Sequence, residues 1–260
     1  NPMLTPKPKI RKTMEQNQNR KERPEDNYSL VEHLTELRTR LVYCVYAILP
    51  CIGVAWYFSE QIFDVVRKPI MAYFPQGGLV FTAPTDKFMA HLKVAMLTGV
   101  ICACPIWIYH VWRFVAPGLY AKEKKYGLAF IGFGTLLFLI GVCFAYFLVL
   151  PTAFSVLLTF GGTVDTPMIT ISEYLSFFIT TILIFGASFE MPLILTILGL
   201  MGIISSKGLR RARRYAVVAI AILAAVFTPP DLMSMVLLGV PLWLLYEISI
   251  LVLSFVEPKV

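Results

Sequence analysis

Three carboxylates, Glu36, Glu123 and Glu190, stand where they could bind a cation in a chain otherwise dominated by hydrocarbon. Glu36 lies in Leu30-Val-Glu-His-Leu-Thr-Glu-Leu-Arg-Thr-Arg-Leu, followed directly by Leu37 and Arg38. Leu30, Leu34, Leu37 and Leu41 recur at helical spacing, so Glu36 belongs to a helix that begins ahead of a membrane and runs into it. Its carboxylate can pair with Arg40 at i,i+4, worth about 0.3 to 0.5 kcal/mol. Together with Glu123 it can also form part of a receptor for a cationic segment, since guanidinium and carboxylate bond bidentately. Glu123 follows Pro117 and opens an apolar run, where a carboxylate also suits the first helical turn. Glu190 sits within an apolar run, where a charge costs about 2.5 to 3.5 kcal/mol on insertion scales, so it must be neutral, paired or hydrated. Glu247, nearer the end of the last run, can snorkel to the surface. Asp231 follows Pro229 and Pro230 and reads as a helix N-cap.

Other chemistry finds little support. His33, His91 and His110 have no partner at metal-ligand spacing. Cys44, Cys51, Cys102, Cys104 and Cys143 fall in or at the ends of apolar runs and read as buried small hydrophobes. There is no glycine-rich phosphate loop, nucleophile elbow or intramembrane-protease arrangement. No enzymatic activity, cofactor or metal is expected. The net charge of +7 comes without a nucleic-acid-binding pattern, so no nucleic acid is expected either.

The elements that must position these residues are apolar helices. The chain is 57% hydrophobic and 15% charged, with a mean hydropathy of +0.71. Six runs approach the length of about 20 residues that a bilayer core requires: Leu41 to Phe58, Leu92 to Trp112, Leu128 to Leu150, Tyr174 to Met201, Tyr215 to Thr228 and Leu232 to Val256. The expectation is an all-α, polytopic membrane protein with six transmembrane helices, solvated by membrane lipid. The fifth run has only 14 residues and rises about 21 Å, so the turn after it lies below the far surface or the bilayer thins there. Nineteen Lys and Arg fall on one set of loops and four, Arg67, Lys68, Lys87 and Lys93, on the other. The positive-inside rule then places both termini in the cytoplasm.

Residues 1–27, rich in Pro, Lys, Arg, Gln and Asn, read as a disordered basic cytoplasmic tail, 28–256 as the membrane domain and 257–260 as a short cytoplasmic tail. No cleavable signal peptide is expected. Pro69 and Pro84 fall in an outer loop, Ser59 to His91, that reads as a short interfacial helix plus a cap over the helix ends. Pro105, Pro192 and Pro241 should bend their spans. Gly127, Gly132, Gly134 and Gly141 would allow close helix approach. No internal repeat links the two halves.

The chain resembles the TatC family, the multispanning subunit of the twin-arginine protein translocase, from about Leu30 to Leu253. The segments that carry the resemblance are His33-Leu-Thr-Glu-Leu-Arg-Thr-Arg-Leu, Pro105 to Tyr120, Phe144-Ala-Tyr-Phe, Tyr174-Leu-Ser-Phe, Phe189-Glu-Met-Pro, Thr228-Pro-Pro-Asp and Tyr246-Glu-Ile. It implies a concave, glove-like bundle of six helices in the bacterial cytoplasmic membrane, exporting folded proteins with Arg-Arg signal peptides by the proton-motive force. Signal-peptide binding is implied for Glu36, Leu37, Arg38 and Glu123, and an intramembrane role in assembly for Glu190, Pro229, Pro230 and Asp231. Pro69 matches a family proline. Single-span TatA and TatB type subunits are the implied partners, at the fifth and sixth helices, with homo-oligomers in the receptor complex. The family commonly has Gln where this chain has Met235. The alternative is a proton-coupled small-solute transporter using Glu190 and Glu247, which the missing repeat disfavours.

Overall fold

The computed structural model describes residues 30–73, 78–116, 127–159, 168–227 and 232–256. Glu123, Pro229, Pro230, Asp231 and both expected tails lie outside these described residues. Everything described is helical apart from short connections and one isolated parallel bridge between Val80 and Thr170. In chain order the helices are α1 (Leu30–Tyr57), α2 (Ser59–Met71), α3 (Asp86–Cys102), α4 (Cys104–Val115), α5 (Gly127–Phe144), a π-helical turn (Ala145–Val149), α6 (Leu150–Thr159), α7 (Ile171–Phe189), α8 (Met191–Leu200), α9 (Ser206–Phe227) and α10 (Leu232–Val256).

Proline chemistry sets several of these boundaries. Pro105 has no amide proton and crowds the carbonyl one turn back, so the second apolar run breaks at Ala103 and its halves, α3 and α4, meet at 56°. The Trp107 indole N–H donates to the Val100 carbonyl at 3.2 Å beside this break. Pro192 likewise stands in the first turn of α8, just after the chain turns at Glu190. Pro241, by contrast, lies inside α10, which runs on unbroken. The third run extends to Thr159 because the π-helical turn before Pro151 accommodates the missing donor.

Among the described residues, four helical stretches are long and apolar enough to cross a membrane: Leu34–Tyr57, Gly127–Leu158, Ile171–Leu200 and Met235–Phe255. The bent pair α3 and α4 makes five if it counts as one span. The run Tyr215 to Thr228 does not meet that standard, because α9 opens with Lys207, Arg210, Arg211, Arg213 and Arg214 and only its second half is apolar. The protein is a polytopic helical membrane protein.

The helices pack in a chain of neighbours: α1 against α3 and α4, α4 against α5, α5 against α7, α7 against α3, and α8 and α9 against α10. One large core of buried side chains joins α2, α3, the π-helical turn, α6, α7, α9 and α10, with Tyr174, Leu175, Phe185, Leu150 and Ile250 at its centre. Contact between α5 and α7 depends on Gly141, where a Cβ would lie 2.7 Å from the Phe185 carbonyl and 3.0 Å from Phe189. Gly132 is different from the expectation of close approach, for it faces open space. The cysteine expectation also needs correction. Only Cys104 is buried, while Cys44 and Cys51 are half-buried and Cys102 and Cys143 are exposed.

The amphipathic α2 supplies the short helix expected between Ser59 and His91, burying Val66 and Ile70. The loop after it is pinned twice. Asp86 Oδ2 accepts the Thr82 and Ala83 amides, each at 2.9 Å, and the Val80 amide and carbonyl bond Ile169 and Ile171 at 3.0 and 2.8 Å.

Candidate functional site

Glu190 occupies the turn between α7 and α8, where its backbone carbonyl accepts the Ile194 amide at 2.9 Å. The side chain is only 8% exposed. Its Oε1 is buried and has no hydrogen-bond partner among the described residues. A cavity of about 150 Å³ adjoins it, walled by Trp107, Trp112, Phe130, Leu193 and Ile197 from α4, α5 and α8. Gly134 on α5 makes room for the carboxyl group, because a Cβ there would stand 3.3 Å from Glu190 Oε2. A buried acceptor left without a donor is costly, about 1 to 3 kcal/mol, so such groups call for a reason beyond packing. The arrangement can receive a hydrogen-bond donor or a cation that carries an apolar body.

Glu36 lies on the inward face of α1, half-buried, and accepts from Arg40 at 2.9 Å. This is the i,i+4 pair that the spacing allowed. Leu37 and Arg38 are exposed beside it. The pair continues into a cluster that sequence reading missed. His110 on α4 stacks on Tyr43 of α1, with ring centres 5.6 Å apart, and meets Tyr109 edge-on at 5.3 Å. Arg113 donates to the Tyr109 hydroxyl at 3.2 Å. Arg40 Nε and His110 Nδ1 are both buried without partners among the described residues. The only hint in the sequence was the run Tyr109-His-Val-Trp-Arg, whose reach across to α1 depends on the bend at Ala103. Helix α4 touches both α1 and α5, so the Glu36 edge and the Glu190 cavity share one helix.

A third feature is the groove between α9 and α10, about 420 Å³, lined by Val217, Ile220, Ala221, Met235, Gly239 and Trp243. Met235 is half-buried on its wall, so the surface is almost wholly apolar. Below it, Glu247 does not snorkel alone. It accepts from Arg213 at 2.6 Å, and the Tyr246 hydroxyl donates to the Leu209 carbonyl at 2.8 Å, tying α10 to α9. Pro69 sits half-buried in the last turn of α2.

Broken apolar helices, a buried carboxyl group without a partner among the described residues and an apolar interhelical groove define a multi-pass helical membrane protein. The family model for Sec-independent protein translocase protein (TatC) matches residues 32–241, and the chain belongs to that family. It is 42% identical over 236 residues to the Sec-independent protein translocase protein TatC of Koribacter versatilis, covering 89% of this chain and 87% of the relative. The Escherichia coli K12 protein of that name is 35% identical over 236 residues, covering 90% and 92%. A crystal structure of the twin-arginine translocase receptor TatC superposes with a TM-score of 0.79 at 37% identity, covering 86% of this chain and 99% of that one.

Proposed function

We propose that this chain is the signal-peptide receptor and core subunit of a twin-arginine translocase, exporting folded proteins across the bacterial cytoplasmic membrane by the proton-motive force. The observation that carries the reading is the likeness to a twin-arginine translocase receptor over 86% of the chain, with Glu36 placed beside exposed Leu37 and Arg38 at the start of α1. Recognition centres on Glu36 and Glu123, with Leu37 and Arg38 next to Glu36 in the chain, each carboxylate taking one guanidinium of the Arg-Arg pair.

The reading includes a topology of six spans with both termini cytoplasmic and a concave, glove-like bundle, with α9 as a short fifth span. Residues 1–27 and 257–260 form cytoplasmic tails around a membrane domain of 28–256. Single-span TatA and TatB type partners dock against α9 and α10, near Pro229, Pro230, Asp231 and Met235, and copies of the chain associate in the receptor complex. Met235 makes that contact less polar. Glu190 acts after recognition, in assembly or transport, when a donor reaches its cavity. Pro69 is structural. Nothing in this mechanism calls for bond-breaking chemistry, a cofactor or a metal.

Export in a bacterium lacking its own TatC tests the proposal. Co-expressed with its single-span partners, the chain should export a folded reporter bearing an Arg-Arg signal and fail with a Lys-Lys signal. Export that ignores the signal, or no export with all subunits present in the membrane, would overturn it.

A further inference from the structure

We infer that Tyr146 supplies the hydrogen bond that Pro69 removes from α2, and that the π-helical turn Ala145–Val149 brings its hydroxyl there. In a regular helix the carbonyl of residue 65 accepts the amide of residue 69, but Pro69 has no amide proton. Helix α2 nevertheless continues to Met71. The Val65 carbonyl accepts instead from the Tyr146 hydroxyl at 2.8 Å. The next carbonyl, at Val66, accepts from the buried Tyr174 hydroxyl on α7.

A second proline answers the first across the same interface. Pro151 in α6 also lacks a donor, and the wider turn just before it, closed by the Leu150 amide on the Ala145 carbonyl, absorbs the defect. The Pro151 carbonyl accepts from the Tyr73 hydroxyl at 3.1 Å, and Tyr73 stands in the turn that follows α2. Two tyrosines thus strap two proline-disrupted segments together, Tyr146 from the π-helical turn to α2 and Tyr73 from the end of α2 to α6. Each hydroxyl does for a helix carbonyl what a backbone amide would otherwise do. Tyr146 is a positioning residue for α2, and Pro69 is what makes its hydroxyl necessary.

A thermal-unfolding cycle on the purified full chain, in one detergent at one scan rate, tests this. Tyr146→Phe keeps the ring, which packs edge-on to Phe147 and Phe178 at 4.8 and 6.3 Å, and deletes only the hydroxyl. With Pro69 present it should lower the midpoint by about 2 to 8 °C. In a Pro69→Ala background the new amide bonds Val65, and the same change should cost less than about 1 °C. Tyr73→Phe serves as the control and should cost the same in both backgrounds. An equal loss for Tyr146→Phe in both backgrounds, or none with Pro69 in place, would overturn the inference. If Pro69→Ala does not fold, hydrogen exchange of the Ser59–Met71 amides in Tyr146→Phe decides: about threefold or faster exchange supports the strap, and unchanged exchange overturns it.

Discussion

Replacing Glu190 by Leu should make the protein more stable and less active at once. Glu190 is 8% exposed, its Oε1 has no partner among the described residues, and its neighbours Trp107, Trp112, Phe130 and Ile197 are apolar. Removing an unsatisfied buried acceptor recovers about 1 to 3 kcal/mol, and the similar-sized leucine fills the site without leaving a void. At about 2 to 4 °C per kcal/mol for a domain of this size, the midpoint should rise by about 2 to 12 °C. Unfolding of a membrane protein is seldom reversible, so variant and parent must be scanned in one detergent at one rate. The same variant should bind a signal peptide nearly as the parent does, yet export little. A lower midpoint would mean that the carboxyl group has a partner in the bundle. Unimpaired export would reduce it to a tolerated polar group.

Other outcomes follow from the same geometry. Gly141→Val should destabilise the bundle by about 1 to 3 kcal/mol, because the Cβ meets the Phe185 carbonyl at 2.7 Å, whereas Gly132→Ala, facing open space, should leave the unfolding midpoint within error. Cysteines placed in residues 1–27 or after Val256 should resist an impermeant thiol reagent in intact cells, and labelling of either from outside would contradict the proposed topology. Photocrosslinkers at Val217, Ala221 or Val236, which line the α9–α10 groove, should capture single-span partner helices in membranes. Capture only elsewhere on the bundle would refute the docking site. Arg40→Gln should strengthen Arg-Arg peptide binding about twofold, since it frees Glu36 from an intrahelical pair worth about 0.3 to 0.5 kcal/mol. Weaker binding would show that Arg40 positions the carboxylate.

The helical class and most spans were legible because hydrocarbon length is a one-dimensional property: Leu128 to Leu150 and Leu232 to Val256 could be nothing else. The interruptions were harder. Pro105 announced a bend but not that its halves would meet at 56° and bring His110 against Tyr43. The apolar run Leu128 to Leu150 stops short of Pro151 in the sequence, whereas the π-helical turn before that proline carries the helix on to Thr159. Glu190 was recognisable from its cost in an apolar run, but only the fold reveals that it stands at a helix break beside a cavity. Glu247 looked solitary because its partner Arg213 is distant in sequence. The hydroxyl bonds of Tyr73, Tyr146 and Tyr174 also join residues far apart in sequence, so no local pattern signals them.

The central claim is that Glu36 and Glu123 read the Arg-Arg pair, and peptide binding to the purified protein tests it most directly. Affinities of an Arg-Arg signal peptide and its Lys-Lys version should be measured for the parent, Glu36→Gln, Glu123→Gln and the double variant. Each charge-assisted bond in a partly desolvated site is worth about 1.5 to 3 kcal/mol, and at Glu36 the competing Arg40 pair lowers the net loss by about 0.3 to 0.5 kcal/mol. Each single variant should therefore bind the Arg-Arg peptide about tenfold to a hundredfold more weakly, with Glu36→Gln at the lower end. The double variant should lose the preference for Arg-Arg over Lys-Lys. Unchanged affinity and unchanged preference in the double variant would contradict the account.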